Sequence, residues 1–462
     1  MNILKSSHRW IIILIIILVN LLGSIENSVI QIALPNLAIE LGRSYSSLSI
    51  IISFYWLAAG AFAFPSGKLG EIYSSGRVFL ISIMLFAIAG FGCAFAEHYL
   101  IITLFRAIQG ISLSSATVNS ISLLRQAYPE EQRAKALSIW SSSTSIGYIA
   151  GPSLGGLLVQ YVGWRIVFGF GGIIVLILFI PVLLSIPNTT SNKNIRFDYS
   201  GSLLFSSAIM LFLLILNPIS DNGWSNKEMV NIGVFFTITV SLLIYRENRV
   251  KEPFIPFSIF QVRQFRKSLV FGIIHSATIQ GLIFLLQYDL QTVREYSPSE
   301  SGLFWMIMSI ATLVASLSIG KLNAFYTDKT LVVAGGVFRL LAFASFTILV
   351  SMPSLNSILF VVVILVSLFI FGTGMGVTNA PLYSIIIEKF DQGKTSMVSG
   401  VYDTFRYVSN SMGVVLFSQM FQISQSSLKK QALILFPSFL VGTIMIAFSL
   451  WLIQSFNKDN KE

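Results

Sequence analysis

The apolar positions of this 462-residue chain are gathered into long runs instead of alternating with polar ones. The runs lie at about 10–35, 46–66, 78–96, 99–121, 136–160, 165–186, 199–217, 229–245, 268–288, 302–320, 330–350, 356–383, 398–422 and 432–455. A bilayer core of about 30 Å is crossed by roughly 20 helical residues, so these runs predict fourteen membrane helices joined by short loops. The first run follows Lys5, His8 and Arg9, as a secretory signal would. It continues to Pro35 without a small-residue cleavage site and is read as a retained first helix.

The longest polar connection, Arg246 to Lys267, carries six basic residues against Glu247 and Glu252, with Pro253 and Pro256. It reads as a solvated cytoplasmic linker attracted to acidic headgroups. A shorter hydrophilic stretch lies at Ser185–Tyr199. Gly67-Lys68-Leu69 with Tyr73 recurs as Gly320-Lys321-Leu322 with Tyr326, at an offset of 253 residues. That offset puts the second and tenth runs in register, as two six-helix lobes flanking two extra helices require. The expected fold is an all-α polytopic membrane protein with a pseudo-two-fold repeat. Its expected parts are a six-helix lobe over 1–187, two extra transmembrane helices over 188–250, and a linker with a second six-helix lobe over 251–462.

Composition agrees: 54% of residues are hydrophobic, 11% are charged, and the mean hydropathy is +0.78. Soluble domains carry about a quarter charged residues. A single cysteine, Cys93, excludes an internal disulfide and a cysteine-rich metal site. The net charge of +10 raises the possibility of nucleic acid, but its distribution argues for topology. With the N-terminus inside, 21 of the 30 Lys and Arg residues fall on the cytoplasmic side, 6 fall outside, and Arg106, Arg339 and Arg406 lie within helices. This asymmetry predicts both termini in the cytoplasm.

A charge near the bilayer centre costs about 2.5–3.5 kcal/mol on insertion scales, so intramembrane charges face partners or cavities. Glu26 lies roughly 14 Å from the outer end of the first helix, and Arg106 roughly 10 Å from that of the fourth. Burial disfavours a carboxyl's charge and a nearby arginine favours it, so altering their separation would bind or release a proton. The bland alternative is a permanent ion pair between the two helices. Asp403 and Arg406, at i and i+3, can neutralise each other, or Asp403 can act as a second proton site. His275 reads as a core histidine or as a titrating, substrate-facing group.

Gly147-x-x-x-Gly151-Pro152-x-x-Gly155-Gly156 in the fifth run places small residues on one face and a hinge-permitting proline beside them. Gly372, Gly374 and Gly376 read as close-packing or bending positions. Gly393-Lys394-Thr395 looks like the end of a phosphate loop, but Glu388 stands where the first glycine should be. No His/Asp/Glu cluster has metal spacing and no serine has an identifiable base, so an enzyme reading has little support.

The Gly147–Gly156 string resembles the motif of antiporter branches of the major facilitator superfamily. Arg106-x-x-Gln109-Gly110 is similar to the buried arginine motif of its fourteen-helix drug:proton antiporter branch. The segment Ile25–Pro35 is similar to that branch's first-helix pattern, with Glu26 for Asp, Ser28 for Thr and Gln31 for Asn. Gly67-Lys68-Leu69-Gly70-Glu71 resembles the superfamily loop motif, but Ser74 and Ser75 stand where Gly and Arg are expected, and Arg77 follows two residues late. Trp164-Arg165 with Phe168 also fits the branch.

This resemblance implies a proton-coupled exporter of small lipophilic or amphipathic compounds such as drugs, working by alternating access in a bacterial inner or plasma membrane. It implies proton coupling by Glu26 and Arg106, and conformational roles for Gly67, Glu71, Arg77, Gly147, Gly151, Pro152, Gly155 and Gly156; Asp403 departs from the uncharged amide common at its position in that branch and would add a second proton-coupling site. It implies that helices 1, 4, 9 and 12 line the cavity, nominating Glu26, Gln31, Asn119, His275, Gln280, Gln287, Asn379 and Tyr383. Arg339, on a helix peripheral by the same analogy, is expected to be structural. The expected partners are a small-molecule substrate, protons and membrane lipids, with no nucleic acid, no metal and no cofactor beyond the proton gradient, in a monomer. Two alternatives stay open: export of an endogenous metabolite, siderophore or lipid, and a sensor or scaffold that does not transport.

Overall fold

The computed structural model describes residues 6–185, 198–216, 225–250, 257–352, 357–390, 395–427 and 434–454. These contain fourteen α-helices: α1 Ser6–Glu40, α2 Ser49–Tyr73, α3 Ser75–Phe95, α4 Tyr99–Ala127, α5 Glu130–Tyr161, α6 Trp164–Ser185, α7 Tyr199–Leu216, α8 Asn226–Glu247, α9 Arg263–Tyr288, α10 Pro298–Leu322, α11 Asp328–Ser351, α12 Ser357–Ile387, α13 Thr395–Ser427 and α14 Phe436–Gln454. Among the described residues twelve helices are long and apolar enough to cross a membrane, and α5 and α13 are not among them. The reason is composition: α5 opens with Glu130, Glu131, Arg133 and Lys135 followed by serines, and α13 carries Asp403, Arg406 and Asn410 amid serines. The sequence Gly393-Lys394 lies outside the described residues, as does most of Ser185–Tyr199.

The chain divides into two compact units, Met1–Pro256 and Phe257–Glu462. In the first, α1 packs along α5, α2 along α4, and α3 against α4 and α6, while α7 lies on α2 and α8 on α7. The first helix does not stop at Pro35 but runs on to Glu40. Its end is fastened there, because Trp164 Nε1 donates to Glu40 Oε2 at 3.1 Å and Arg165 pairs with the same carboxylate. Arg165 Nη2 also donates to the Ala96 carbonyl at 3.2 Å, which joins the ends of α1, α3 and α6.

Between α2 and α3 the chain turns on Ser74 alone, at φ +99°. L-residues rarely adopt such a conformation and glycine does so freely. The departure from the loop motif is therefore carried as local backbone strain. α7 is held to α2 by Ser206 Oγ donating to the Ala61 carbonyl at 2.8 Å and by a hydroxyl–hydroxyl bond between Tyr73 and Tyr199. α7 and α8 are joined by Asp198, which accepts from the Gly201 amide at 2.8 Å and from Arg246 Nε at 3.1 Å. No residue in the most apolar stretch of α8 is buried.

The expected linker from Arg246 to Lys267 is shorter than its polarity suggested. A 3-10 turn, Phe257–Gln261, precedes α9, and Arg263, Arg266 and Lys267 belong to α9 itself. Aromatic packing explains the early start: Phe260 meets Phe265 and Phe405 edge-on, and Phe265 meets Phe390.

In the second unit, α12 lies against α10 and α11, α9 against α13 and α14, and α14 against α11. The alternating glycines of α12 serve two neighbours. Gly372 and Gly376 face the Met308 and Thr312 carbonyls of α10, and Gly374 faces the Gly335 carbonyl of α11 at 2.6 Å from an ideal Cβ. Thr312 Oγ1 donates to the Gly372 carbonyl at 3.0 Å across this contact. The two copies of the short repeat end α2 and α10 but pack differently: Gly67 has Val118 Cγ1 at 3.1 Å from an ideal Cβ, and Gly320 has nothing within 4 Å.

Candidate functional site: a buried polar cluster in each unit

Glu26, 1% exposed, extends from α1 into the interior of the first unit. Its Oε2 accepts from Gln109 Nε2 at 2.7 Å. Its Oε1 has no hydrogen-bond partner and lies against Gly171 of α6, so closely that a Cβ there would collide with it. Arg106, also 1% exposed, donates from Nη1 to Gln109 Oε1 at 3.0 Å and from Nη2 to Asn27 Oδ1 at 3.2 Å. Its guanidinium carbon stands 4.1 Å from the centre of the Tyr55 ring, a cation–π contact that supports the buried charge.

Glu26 and Arg106 thus form no direct ion pair. The Gln109 side chain stands between them, its amide N–H given to the carboxylate and its carbonyl accepting from the guanidinium. Helical spacing accounts for this, since positions 106 and 109 share one face of α4. A permanent ion pair between α1 and α4 does not occur in the described geometry.

The glycines of α5 pack on the same stretch of α1. An ideal Cβ on Gly147 would lie 2.7 Å from Ser24 Cβ, one on Gly151 2.5 Å from Ser28 Oγ, and one on Gly155 3.3 Å from Val29 Cγ2. Gly156 is buried as well, and Pro152 is half-buried inside the helix. Ser24, Ser28 and Val29 bracket Glu26, so the segment that carries the carboxyl is seated on the glycine face. Gln31 is buried on α1. Asn119 spends its amide donor on the Ser66 and Ser115 carbonyls at 3.2 and 2.9 Å, and its Oδ1 presses on Gly70, which ties α4 to α2. Glu71 and Arg77 are exposed at the α2–α3 turn.

The second unit pairs His275 with Asn379 and Asp403 with Tyr383 among its nominated residues. His275 Nε2 and Asn379 Oδ1 are 2.9 Å apart, while His275 Nδ1 has no partner. Asp403 Oδ2 accepts from the Tyr383 hydroxyl at 2.7 Å, and Oδ1 accepts from Arg406 Nε at 3.1 Å, so the i, i+3 pair forms and is completed by a tyrosine. These two side chains keep 28% and 35% of their surface exposed. Gln287 Oε1 accepts from Trp305 Nε1 at 2.8 Å, and Gln280 is buried with its Oε1 unpartnered. Arg339 is fully buried on α11.

Gln109, Asn27, Tyr55 and Gly171 were not singled out from the sequence as site residues. Gln109 carried a signal, because it shares a helix face with an intramembrane arginine. Gly171 carried none, since a glycine in an apolar run looks like ordinary packing.

Two helical units, each with charged groups buried among membrane-length helices, define a multi-span membrane transporter fold. The chain belongs to the Major Facilitator Superfamily, whose family profile matches residues 16–414. The multidrug resistance protein Stp of Mycobacterium tuberculosis is 25% identical over 398 residues, covering 85% of this chain and 72% of that protein. The riboflavin transporter RibZ of Clostridioides difficile is 25% identical over 417 residues, covering 90% of this chain and 88% of RibZ. In fold, the chain resembles a crystal structure of a bacterial homologue of the human lysosomal transporter Spinster. The TM-score is 0.68, with 14% identity over 98% of each chain.

Proposed function

We propose that this transporter is a proton-coupled exporter of small lipophilic or amphipathic compounds, driven by inward proton flow through alternating access. The observation that carries the proposal is the buried Glu26 carboxyl, with one oxygen free and the other joined to Arg106 through a single amide. Burial disfavours a carboxyl's charge and a neighbouring guanidinium favours it, so a small relative movement changes proton occupancy. The seat of α1 on the α5 glycines is where such a movement would be felt. Asp403, shared between Tyr383 and Arg406, is a second exchange site at a more open position. Energy comes from the proton gradient, without a cofactor, and the working unit is a monomer in the bacterial inner or plasma membrane.

The likeness to Stp supports drug-like cargo. The likeness to RibZ favours a second reading, export of an endogenous organic solute by the same coupling. Both are tested in proteoliposomes under an imposed pH gradient, with lipophilic dyes and riboflavin as cargo and internal pH recorded. Dye movement with proton counterflow supports the first reading and riboflavin movement the second. Glu26→Gln is expected to lower coupled transport at least about 10-fold, the effect of losing a charged hydrogen bond. A panel in which no solute moves and no proton is exchanged overturns both and leaves a sensor or scaffold.

A further inference from the structure

The interiors of the two units differ in charge. In the first, Glu26 and Arg106 balance one another across Gln109. In the second, the charged groups described at mid-helix depth are Arg339 on α11 and Asp403 and Arg406 on α13. Asp403 is occupied by Arg406 and by the Tyr383 hydroxyl. Asp289, the buried carboxylate among the described residues of this unit, belongs to Arg294 at 3.0 Å beyond the end of α9. Among the described residues one positive charge, that of Arg339, is left over.

Arg339 is 0% exposed, and Nε, Nη1 and Nη2 all lack a hydrogen-bond acceptor. A guanidinium does not escape such a position by losing its proton. Its stem packs on Gly374 of α12, and its guanidinium carbon stands 5.3 Å from the centre of the Phe271 ring. Phe271 in turn stacks on His275, with 15° between the rings. Tyr402 closes the cluster from α13, packed on Gly272 next to Phe271. A benzyl ring, an imidazole engaged with Asn379 and a phenol supply no negative charge. The five N–H donors of one guanidinium lie where α9, α11, α12 and α13 meet, with no counterion among the described residues, and full burial restricts the ligand to a small one.

We propose that the second unit holds a small monovalent anion on the Arg339 guanidinium, beside Phe271, His275 and Tyr402. This site is separate from the Glu26 cluster and does not rest on proton-coupled export. A free halide and a carboxylate group share the required chemistry, and its burial favours the halide.

The test uses purified full-length protein in detergent, with thermal unfolding followed at constant ionic strength as gluconate is replaced by chloride, bromide or acetate. A ligand that binds only the folded state stabilises it by RT ln(1 + [L]/Kd), so the melting temperature climbs with the logarithm of ligand concentration above Kd. A rise of several degrees in chloride and bromide, growing with the logarithm of halide concentration, that is lost in Arg339→Gln and kept in Arg406→Gln is expected. A comparable rise in acetate would support the site while assigning it to a carboxylate. If Arg339→Gln does not fold, Arg339→Lys serves, with the halide concentration needed for a given rise expected to increase about 10-fold, because the planar fork is lost. Equal melting temperatures in chloride and gluconate, or an unchanged chloride response in the Arg339 variants, overturn the proposal. Because the readout is binding, a failure of transport leaves it standing.

Discussion

At Glu26 the decisive neighbour is an absence of atoms. The carboxylate fits because Gly171 has no side chain, and a single methyl there would occupy the space of Oε1. Gly171→Ala is therefore expected to push the carboxylate off Gln109, with about 1.5–3 kcal/mol of charged hydrogen-bond energy at stake. Coupled transport should fall about 10-fold or more while cargo binding, measured by dye fluorescence quenching, stays within about 2-fold. Loss of binding and transport together would show a general packing fault instead. The sequence made Glu26 and Arg106 legible because each interrupts an apolar run at a cost that demands a reason. It did not show what lies between them. That depends on which face of α4 turns toward α1, and this is settled by packing on α2 and α3. The same limit applies to Asn119: the family resemblance nominated it as a cavity wall, and its amide donor goes to the backbone of α2 and of its own helix.

At the level of helices, the apolar runs were legible because lipid leaves a spanning segment no choice but to satisfy its backbone internally. Their ends were less so. α1 outlasts Pro35 because Trp164 and Arg165 capture Glu40, and α9 begins early because phenylalanines anchor the turn before it. Both are tertiary effects with no local pattern. The glycine string of α5, in contrast, announced a close helix contact, and the partner is the stretch of α1 around Glu26. Gly151→Val should cost about 1–3 kcal/mol from overpacking, since its Cβ would lie 2.5 Å from Ser28 Oγ and 3.2 Å from the Ser24 carbonyl. A drop in melting temperature with loss of transport is the expected result. Unchanged stability would mean that the two helices separate more easily than their contact indicates.

At the level of the whole chain, the sorting of basic residues predicts an orientation that chemistry can read. Cys93 is the one cysteine and is buried, so Cys93→Ala provides a thiol-free background. In that background Lys321→Cys should react with an impermeant maleimide only from the cytoplasmic face, and Lys227→Cys only from the outside. The reverse pattern would invert the topology. The division into two units was only partly legible. A repeat of a few residues pointed to duplicated lobes, and its two copies do not share a packing environment, because Gly67 is pressed against Val118 and Gly320 is open.

α8 touches little besides α7 along its apolar length, and neither buried cluster includes any of its residues. It is consequently the natural handle of the molecule. A fluorophore or spin label on its outward positions, such as Val234 or Ile238, would sample the surrounding lipid while leaving Glu26, Arg106 and Arg339 as they are. The two helices that complicate the architecture also give an experimenter a fixed vantage point from which to watch the rest.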